Sequence, residues 1–449
     1  MIQTHKKAYL KTYGCQMNEH DSLRMRSVLE RQGYALTDEV ASADLVVLNT
    51  CSVREKPEHK VYSFLGTVRE LKQANPDVII GVAGCVAQQE GRNLLKREKS
   101  VDMVFGPDNM FKLPDMIERV QRGQRVLETK WAERDERRVH DFIPEEELER
   151  NYVDGCKAYV AISKGCDNFC TFCVVPYTRG RDISRRPEGI MTEVRDVMSK
   201  GAREIMLLGQ NVNSYRADEW DFHTLLDAVS REEGLYRLRF KSPHPNDWND
   251  KLSDLLTARA SICNQLHLPY QAGSDRVLLE MRRNHTVEEY LAKIDYLRSI
   301  NPEVGISTDI ICGFPTETDE EFEGTLEVMR HVRFEHLYAF KYSERPNTLA
   351  ARKIEDDVPE EVKSDRLQRV LELHRTISEE QIDTFVGQTV EVLIDSAHPQ
   401  ERGIMCGRTQ GDRPVVVRDA SLEIGDLVNV QVDARRKFSL EGVPKIQPA

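Results

Sequence analysis

The sequence predicts an α/β protein in three parts: an amino-terminal open parallel α/β sheet, a central, partly closed parallel barrel of six strand–helix units, and a small carboxy-terminal β-barrel. With 449 residues the chain exceeds the usual size of one domain. Apolar strand-like runs alternate with helical patterns through most of it, which is typical of parallel sheets. Short β-rich runs separated by Gly and Asp follow near the carboxy terminus and indicate a small barrel. We assign residues 1–120, 153–382 and 383–449 to these domains and 121–152 to a connector.

Each of the three main strands predicted in the first domain ends just before a cysteine. The strands at residues 8–12, 45–48 and 78–84 precede Cys15, Cys51 and Cys85. Ligands bind outside the carboxyl ends of parallel strands, so the three thiols are expected at one edge of the sheet, where they could hold a metal cluster. Gly14 and Gly84 would let the backbone approach such a cluster closely. The alternative is three buried core thiols, since free cysteine is commonly buried.

The connector is mostly charged and includes an acidic run at residues 145–149. Its low apolar content predicts an exposed linker, and the acidic run is interpreted as a solvated face. Trp131 and Phe142 could pin this linker onto a neighbouring domain.

The most informative motif is a second set of three cysteines. Cys166, Cys170 and Cys173 have Cys-x3-Cys-x2-Cys spacing and follow a strand-like run at residues 158–163. Three thiolates can hold three irons of a cubane cluster; because such clusters usually take four cysteines, the open iron points to a cosubstrate. S-adenosylmethionine can bind it through amino and carboxylate groups, and one electron then splits its carbon–sulfur bond. A zinc loop or incidental core thiols are the alternatives, but zinc normally takes four ligands in two pairs and no partner pair follows nearby.

The wider motif resembles a known enzyme family. Residues 165–180, GCDNFCTFCVVPYTRG, resemble the methylthiotransferase branch of the radical S-adenosylmethionine (radical SAM) enzymes. Residues 11–18, KTYGCQMN, and residues 48–52, LNTCS, resemble the amino-terminal motifs of that branch, so the resemblance covers nearly the whole chain. It implies a central radical SAM partial (β/α)6 barrel, a TRAM-like RNA-binding barrel at the carboxy terminus, and two [4Fe-4S] clusters, one on each set of three cysteines.

The activity that this resemblance implies is a tRNA modification. The chain is most similar to the branch that converts N6-dimethylallyladenosine next to the anticodon into its 2-methylthio derivative, with two S-adenosylmethionine molecules. The expected partners are the tRNA anticodon stem-loop, an external one-electron donor such as a flavodoxin-type reductase system, and a sulfur source; we expect a monomer. The alternatives are methylthiotransferases acting on a ribosomal-protein aspartate or on threonylcarbamoyl-adenosine in tRNA, and a non-enzymatic iron–sulfur electron carrier.

Candidate binding residues follow from the same resemblance. Five residues after the predicted strands of the barrel are expected near S-adenosylmethionine: Gln210, Asn211, Gln271, Ser274 and Gly313. The run at residues 209–211 departs from the Gly-Gly-Glu-like pattern of the superfamily, and each of the five could instead be a turn or cap residue. Four arginines could meet RNA phosphates: Arg179, Arg181, Arg408 and Arg413. The first two could also meet the methionine carboxylate, and all four could be simply solvated.

Composition limits the classes of protein that this chain can represent. The net charge of −12 argues against a generally basic nucleic-acid binder, so RNA contact must use a local patch. Ten cysteines in a chain this long favour metal or catalytic use over a disulfide framework. No apolar stretch is long enough to span a membrane and the first residues lack a secretory apolar region, so we expect a cytoplasmic protein without membrane contact.

Overall fold

The structure is a computed structural model that describes residues 6–52, 55–131, 141–437 and 439–445, with the backbone alone for residues 55–60. The first unit is a six-stranded, wholly parallel sheet flanked by helices. Its strands are β1 (Lys7–Tyr13), β2 (Ala35–Leu36), β3 (Leu45–Thr50), β4 (Ile79–Ala83), β5 (Met103–Phe105) and β6 (Val126–Glu128), and its helices are α1 (Gln16–Arg31), α2 (Glu55–Ala74), α3 (Gly84–Glu90), α4 (Arg92–Arg97) and α5 (Leu113–Gln121).

The strand order in this sheet is β2-β1-β3-β4-β5-β6, so the three strands that precede the cysteines are neighbours. Strand β3 is buried at all six positions, as expected where helices cover both faces of a parallel sheet. The prediction of an exposed connector is wrong at β6, which lies within residues 121–152 and pairs with β5. A single fully buried residue, Val126, anchors β6 in the core, and that signal is too short to stand out in a charged stretch.

The second unit is an arc of six parallel strands with helices outside it. Sheets of order β13-β10-β7 and β14-β15-β16 are joined by a parallel bridge between Leu238 and Ile262. The six strands are β7 (Lys157–Ala161), β10 (Glu204–Leu208), β13 (Arg237–Phe240), β14 (Gln265–His267), β15 (Gly305–Cys312) and β16 (His336–Lys341). Two short antiparallel pairs lie in its loops: β8 (Ser163–Lys164) with β9 (Ile183–Ser184), and β11 (Arg216–Ala217) with β12 (Trp220–Asp221).

The helices of this unit are α6 (Val175–Thr178), α7 (Pro187–Ser199), α8 (Phe222–Ser230), α9 (Asp250–Ala258), α10 (Asp275–Glu280), α11 (Val287–Ile300), α12 (Asp319–Val332), α13 (Leu349–Lys353) and α14 (Glu360–Asp383). Alternate strand residues such as Val160, Leu238 and Ile306 pack with the helices in one large apolar core. The other strand face forms the concave side of the arc, where polar residues such as Arg237 and Arg239 and apolar residues such as Leu208 both lie. The prediction of a partial six-unit barrel is therefore confirmed.

The third unit is a closed five-stranded barrel of order β17-β18-β19-β21-β20, also as predicted. Its strands are β17 (Thr389–Ala397), β18 (Met405–Arg408), β19 (Pro414–Val417), β20 (Leu427–Arg435) and β21 (Leu440–Pro444).

Among the described residues, none of the helices combines the length and the apolar character that a bilayer span requires.

The hairpin between β18 and β19 docks the third unit against the second. Arg239 donates hydrogen bonds to the carbonyl oxygens of Thr409 and Gln410 at 3.0 and 2.8 Å, and Arg237 donates to that of Arg408. Arg237 and Arg239 alternate with Leu238 of the core, so they lie on the concave face of the arc. The hairpin therefore forms part of the floor of that concave face.

A buried ionic cluster joins the first unit to the second. The carboxylate of Glu193 on α7 pairs with Arg24 on α1 and with Nη1 of Arg185 at 2.7 Å, and all three side chains are nearly inaccessible. Arg24 also donates to the carbonyl oxygen of Glu147 at 2.8 Å. Glu147 is 1% exposed, so the acidic run of the connector is not wholly a solvated face as predicted.

Phe142 from the same connector packs beside Lys164, with the Nζ atom of Lys164 4.7 Å from the ring centroid. It also contacts an apolar cluster shared by Met17 of the first unit and Leu208 of the second. Phe142 thus pins the connector at the domain boundary as predicted, whereas the ring of Trp131 is 39% exposed.

The Glu193 cluster predicts a pH-dependent stability. Burial alone would raise the pKa of Glu193, but Arg24 and Arg185 together lower it to about 2. The pKa of this carboxyl is near 4.5 in the unfolded chain, so its ionised form stabilises the folded protein by about 3 kcal/mol when the pH is above 4.5. This stabilisation is lost as the pH falls towards 2. The protein prepared without iron–sulfur clusters can be unfolded in urea. At pH 7 the unfolding free energy of Glu193→Gln should be lower than that of wild type by about 3–5 kcal/mol, because two buried arginines lose their partner.

The difference in unfolding free energy between Glu193→Gln and wild type should be clearly smaller at pH 3 than at pH 7. The control is Glu188→Gln on the exposed face of the same helix, which should match wild type at both pH values. If Glu193→Gln loses the same unfolding free energy at pH 7 and at pH 3, Glu193 is not the ionised partner of the two arginines.

Candidate active site

The sheet brings the three amino-terminal cysteines to one edge. Cys15 caps the start of α1, Cys51 directly follows β3, and Cys85 lies in the first turn of α3. A hydrogen bond from Cys51, helped by the charge of Arg179, lowers the pKa of the Cys15 thiol to about 6 against the opposing effect of burial. The structure thus places the three thiols together as the sequence predicted.

A buried amide network, which sequence reasoning missed, clamps these strand ends. Asn18 donates to the side-chain oxygen of Asn49 and to the carbonyl oxygen of Thr50, both at 3.2 Å. Asn49 donates back to the carbonyl oxygen of Asn18 at 2.7 Å, and the Thr50 hydroxyl donates to that of Ala83 at 2.6 Å. The network links the start of α1 to the ends of β3 and β4, and its only sequence signal is Asn or Thr within three residues of each of Cys15 and Cys51.

The two glycines beside these cysteines make room for this amide network. A Cβ atom on Gly84, whose φ is +90°, would collide with the side chain of Asn49 and the backbone of Thr50. A Cβ atom on Gly14 would lie 2.5 Å from the side-chain oxygen of Asn18. Neither position could therefore carry a side chain without disturbing the network.

Arg179, which the sequence suggested for phosphate or carboxylate binding, is 2% exposed and lies among the amino-terminal cysteines. Its Nη2 atom donates to Asp21 on α1 at 2.7 Å, and its guanidinium also donates to Cys85. Burial would lower the pKa of Arg179, but Asp21, Cys85 and Cys15 together raise it well above its ordinary value. An arginine from the second unit is thus a permanent cation at the thiol site of the first.

The other three cysteines lie on the loop after β8, at the carboxyl end of the first strand of the arc. Gly165 precedes the loop with φ +85°, and its N–H donates to Gln210 at 2.6 Å. Cys170 is 8% exposed, and Cys166 and Cys173 are half-buried. Burial raises the pKa of Cys173 to about 12 and also raises that of Cys166, so their thiolates require a metal or another cation for stabilisation.

Arg283 supplies one such cation. Its Nη1 atom lies 3.5 Å from the sulfur of Cys170, and its Nη2 atom donates to the carbonyl oxygen of Pro269 at 2.8 Å. The side chain is 5% exposed. Hydrogen bonds to cluster sulfurs tune the reduction potential, so Arg283 is placed to do this for a cluster on the Cys166 loop. This arginine lies 113 residues from Cys170 in the sequence.

The five residues considered for S-adenosylmethionine all follow the second, fourth or fifth strand of the arc, at the same end as the cysteine loop. Gln210 braces that loop, and Asn211 donates to Asp247 at 2.7 Å, while its own buried oxygen has no hydrogen-bond partner among the described residues. Gln271 and Gly313 have φ values of +76° and +70°. Ser274 caps α10 and donates to Glu321 at 3.0 Å, so its side chain is already held by protein.

The remaining arginines considered for RNA differ in accessibility. Arg181 is the most open, with its side chain 55% exposed and paired with Asp167. Arg413 is buried in a pair with Glu335 at the domain interface, which corrects the expectation that it faces RNA. Arg408 is 38% exposed but bonds to Asp412 on its own hairpin at 3.2 Å.

Each set of three cysteines offers one thiolate to each of three irons of a cubane cluster. Within the described ranges, no three His, Cys, Asp or Glu residues are arranged to hold one metal ion. A cubane is larger than an ion, and each of its thiolates binds a different iron. Three convergent cysteines with a buried arginine beside them suit such a cluster and leave one iron open.

The two sites are held close together by the chain itself. Only α6 separates Cys173 from Arg179, which contacts the amino-terminal thiols. Six residues span between about 9 Å when helical and about 21 Å when extended. Lys164, just before the cysteine loop, forms a second buried link of 2.6 Å to Asp108 of the first unit.

Comparisons with known proteins agree with this arrangement. The family models that match are "Uncharacterized protein family UPF0004" over residues 7–106, "Radical SAM superfamily" over residues 160–329 and "TRAM domain" over residues 383–445. Among solved structures, the fold is similar to the radical S-adenosylmethionine methyltransferase TsrM from Kitasatospora setae, with a TM-score of 0.55 and 13% identity over 78% of this chain and 74% of that one. The cobalamin-dependent radical enzyme OxsB gives a TM-score of 0.51 at 12% identity, covering 83% and 56%. The fold and the cysteine loop are therefore those of a radical SAM enzyme.

Similar sequences narrow this class to one family. The chain is 45% identical over 426 residues to the tRNA-2-methylthio-N(6)-dimethylallyladenosine synthase of Bdellovibrio bacteriovorus. The aligned region covers 94% of this chain and 92% of the relative. The chain is also 45% identical over 440 residues to the synthase of the same name from Cereibacter sphaeroides, covering 97% and 98%. The chain belongs to the family of these tRNA-2-methylthio-N(6)-dimethylallyladenosine synthases.

The Arg179–Asp21 pair generates a test of the domain junction. Arg179→Met leaves Asp21 buried without its cation, which should cost about 3–5 kcal/mol. The unfolding free energy of the cluster-free protein in urea measures this cost. The matched control is Arg181→Met, two residues away, where losing an exposed pair should cost less than about 1 kcal/mol.

A second substitution separates the ion pair from simple loss of packing. Adding Asp21→Asn to Arg179→Met should restore part of the stability, because no buried charge then remains unpaired. Equal losses in Arg179→Met and Arg181→Met would contradict the described role of Arg179.

Proposed function

We propose that this chain is a tRNA methylthiotransferase that converts N6-dimethylallyladenosine next to the anticodon into its 2-methylthio derivative. The observation that carries the proposal is the 45% identity over nearly the full length to relatives named for that product. The two convergent thiol sites and the TRAM domain support it independently.

The cofactors proposed are S-adenosylmethionine and two [4Fe-4S] clusters, with Cys166, Cys170 and Cys173 as ligands of one and Cys15, Cys51 and Cys85 as ligands of the other. When bound, these groups supply a reductively generated radical at the first site and a transferable sulfur at the second. The protein residues around them hold the two sites in place. Arg283 and Arg179 place one buried cation beside each set of thiols.

This chemistry explains why two sites must face one pocket. The C2–H bond of adenine is inert to acid–base catalysis, so its activation needs a radical source, and the sulfur must be available at the same moment. Nucleobase enzymes act on extruded or unpaired bases, and an anticodon loop exposes its bases at low cost. Because barrel enzymes act at the carboxyl ends of their strands, the base is proposed to enter the arc from that end, beside the Cys166 loop.

The five residues at the strand ends are proposed to surround S-adenosylmethionine. Asn211 is the best supported of Gln210, Asn211, Gln271, Ser274 and Gly313, because its buried side-chain oxygen lacks a protein partner among the described residues. Arg181 is the best supported RNA contact, since its side chain is more than half exposed beside the cysteine loop. An external one-electron donor of the flavodoxin-type reductase kind, a separate sulfur source, a monomeric state and a cytoplasmic location complete the proposal.

Turnover on defined anticodon hairpins tests this function. The reconstituted holoenzyme, with S-adenosylmethionine and a reductant under anaerobic conditions, should add a methylthio group to a hairpin bearing N6-dimethylallyladenosine. It should not modify hairpins bearing adenosine or threonylcarbamoyl-adenosine, and mass spectrometry of the digested RNA measures all three. Turnover of a ribosomal-protein peptide but of no hairpin would contradict the proposal.

The control is the triple variant Cys166→Ala, Cys170→Ala, Cys173→Ala. It should form no methionine or deoxyadenosine yet keep the iron and sulfide of one cluster on the other three cysteines. Wild-type protein that retains two clusters but never cleaves S-adenosylmethionine would instead identify an electron carrier.

A further inference from the structure

The backbone that approaches Cys170 from outside its own loop is strained at two positions. Arg282 and Asn284 have φ values of +56° and +55°, in the left-handed region that residues other than glycine rarely adopt. Asparagine tolerates this conformation, but for arginine it costs free energy that the surrounding structure must supply. Between them lies Arg283, whose Nη1 atom is 3.5 Å from the sulfur of Cys170. The strained pair thus flanks the side chain that reaches the cysteine loop.

A histidine holds the peptide that follows Arg283. The Nδ1 atom of His285 lies 2.9 Å from the carbonyl oxygen of Arg283. Because a carbonyl oxygen can only accept, Nδ1 carries the proton and donates. Burial, reinforced by the positive charge of Arg283, lowers the pKa of His285 to about 4, so the imidazole is neutral near pH 7 and has a single N–H group for this bond. His285 therefore fixes the orientation of the backbone at Arg283.

A second histidine supports the ring of His285. The centroids of the His244 and His285 rings are 6.0 Å apart, and the two planes are nearly perpendicular at 83°. The backbone of His244 is held by Asn213, which accepts from its N–H group at 2.7 Å and donates to its carbonyl oxygen at 3.0 Å. The two histidines are 5% and 7% exposed. A continuous series of contacts therefore runs from the loop after β10 through both histidines to Arg283.

The guanidinium of Arg283 has few other restraints. Its Nη2 atom donates to the carbonyl oxygen of Pro269 at 2.8 Å, and its Nε atom has no hydrogen-bond partner among the described residues. Because the guanidinium is a planar fork, a rotation of the backbone at Arg283 would move Nη1 away from Cys170. The hydrogen bond to the sulfur therefore depends on the backbone orientation that His285 fixes.

We infer that His285 is a positioning residue for the reduction potential of the radical site, because it holds Arg283 in the orientation in which the guanidinium donates to Cys170. The inference rests on the proposed function, since it requires the [4Fe-4S] cluster on Cys166, Cys170 and Cys173. A hydrogen-bond donor and a positive charge beside a cysteine sulfur stabilise the reduced form of a cluster, which carries one more negative charge. Loss of both makes the cluster harder to reduce.

Redox titration of the anaerobic holoenzyme without S-adenosylmethionine tests this role. Dithionite supplies the electron, and electron paramagnetic resonance follows the reduced cluster. The spectrum of the triple variant Cys166→Ala, Cys170→Ala, Cys173→Ala is subtracted, so that only the radical-site cluster remains. His285→Leu should lower the equilibrium constant for the one-electron reduction by about ten-fold, equivalent to a potential about 59 mV more negative.

Two further variants of His285 separate the hydrogen bond from packing. In His285→Asn the side-chain amide occupies the place of the Nδ1–H group, so the potential should stay close to that of wild type. In His285→Gln the amide lies near the place of Nε2 instead, so the potential should fall as in His285→Leu. If iron content and circular dichroism show that His285→Leu is not folded, the comparison of these two variants decides, and equal potentials would overturn the inference.

A double substitution tests whether His285 acts through Arg283. Arg283→Met alone should make the potential more negative, and adding His285→Leu to it should cause no further change, because the side chain to be positioned is already absent. A second, additive shift would show that His285 acts on the cluster directly and would overturn the inference. The control is Arg282→Gly, which removes an exposed cation one residue away, keeps the left-handed backbone without strain, and should match wild type.

The outcomes also separate this role from binding of the cosubstrate. The Nε2 atoms of His244 and His285 have no hydrogen-bond partner among the described residues, so contact with S-adenosylmethionine is the competing role. If His285→Leu weakens binding of S-adenosylmethionine but leaves the potential measured without it unchanged, the competing role is correct and the inference is wrong. If wild type binds no cluster on the Cys166 loop, the proposed function fails and the inference fails with it.

Discussion

The arrangement of this protein depends on a buried ion pair that crosses a domain boundary. Arg179 belongs to the second unit, yet its guanidinium lies on Asp21 and Cys85 of the first. A buried cation is stable only where anionic partners surround it, so neither domain could keep these groups buried alone. The pair therefore ties the amino-terminal thiols to the helix that leaves the cysteine loop, and the Glu193 cluster and the Lys164–Asp108 pair reinforce the same junction.

The carboxy-terminal barrel has a structural role at the opposite end of the arc. Three carbonyl oxygens of its β18–β19 hairpin accept hydrogen bonds from Arg237 and Arg239 on the concave face. Its docking thus forms part of the floor of the concave face of the arc. This domain was expected only to hold RNA, and its contacts show that it also packs against the second unit.

Much of the fold could be predicted from the sequence because the signals are local. The six strands of the arc are short runs with apolar residues at alternate positions and helices between them, and the six cysteines follow strand ends or form a compact motif. The roles of individual arginines could not be predicted, since Arg179 and Arg413 look like solvated cations until their distant partners Asp21 and Glu335 are seen. The same holds for Arg283, which reaches Cys170 across 113 residues of sequence, and for β6, whose single core residue lies in a charged stretch.

The central claim is that this junction fixes the two thiol sites at one short separation. The most direct measurement is the magnetic dipolar distance between the two reduced clusters in the holoenzyme, obtained by pulsed electron paramagnetic resonance. The claim predicts one narrow distribution on the order of 10–20 Å, because only α6 separates Cys173 from Arg179. A broad distribution, or a distance beyond about 25 Å, would contradict it, since the helical span across α6 is only about 9 Å and the Arg179 side chain adds little to it.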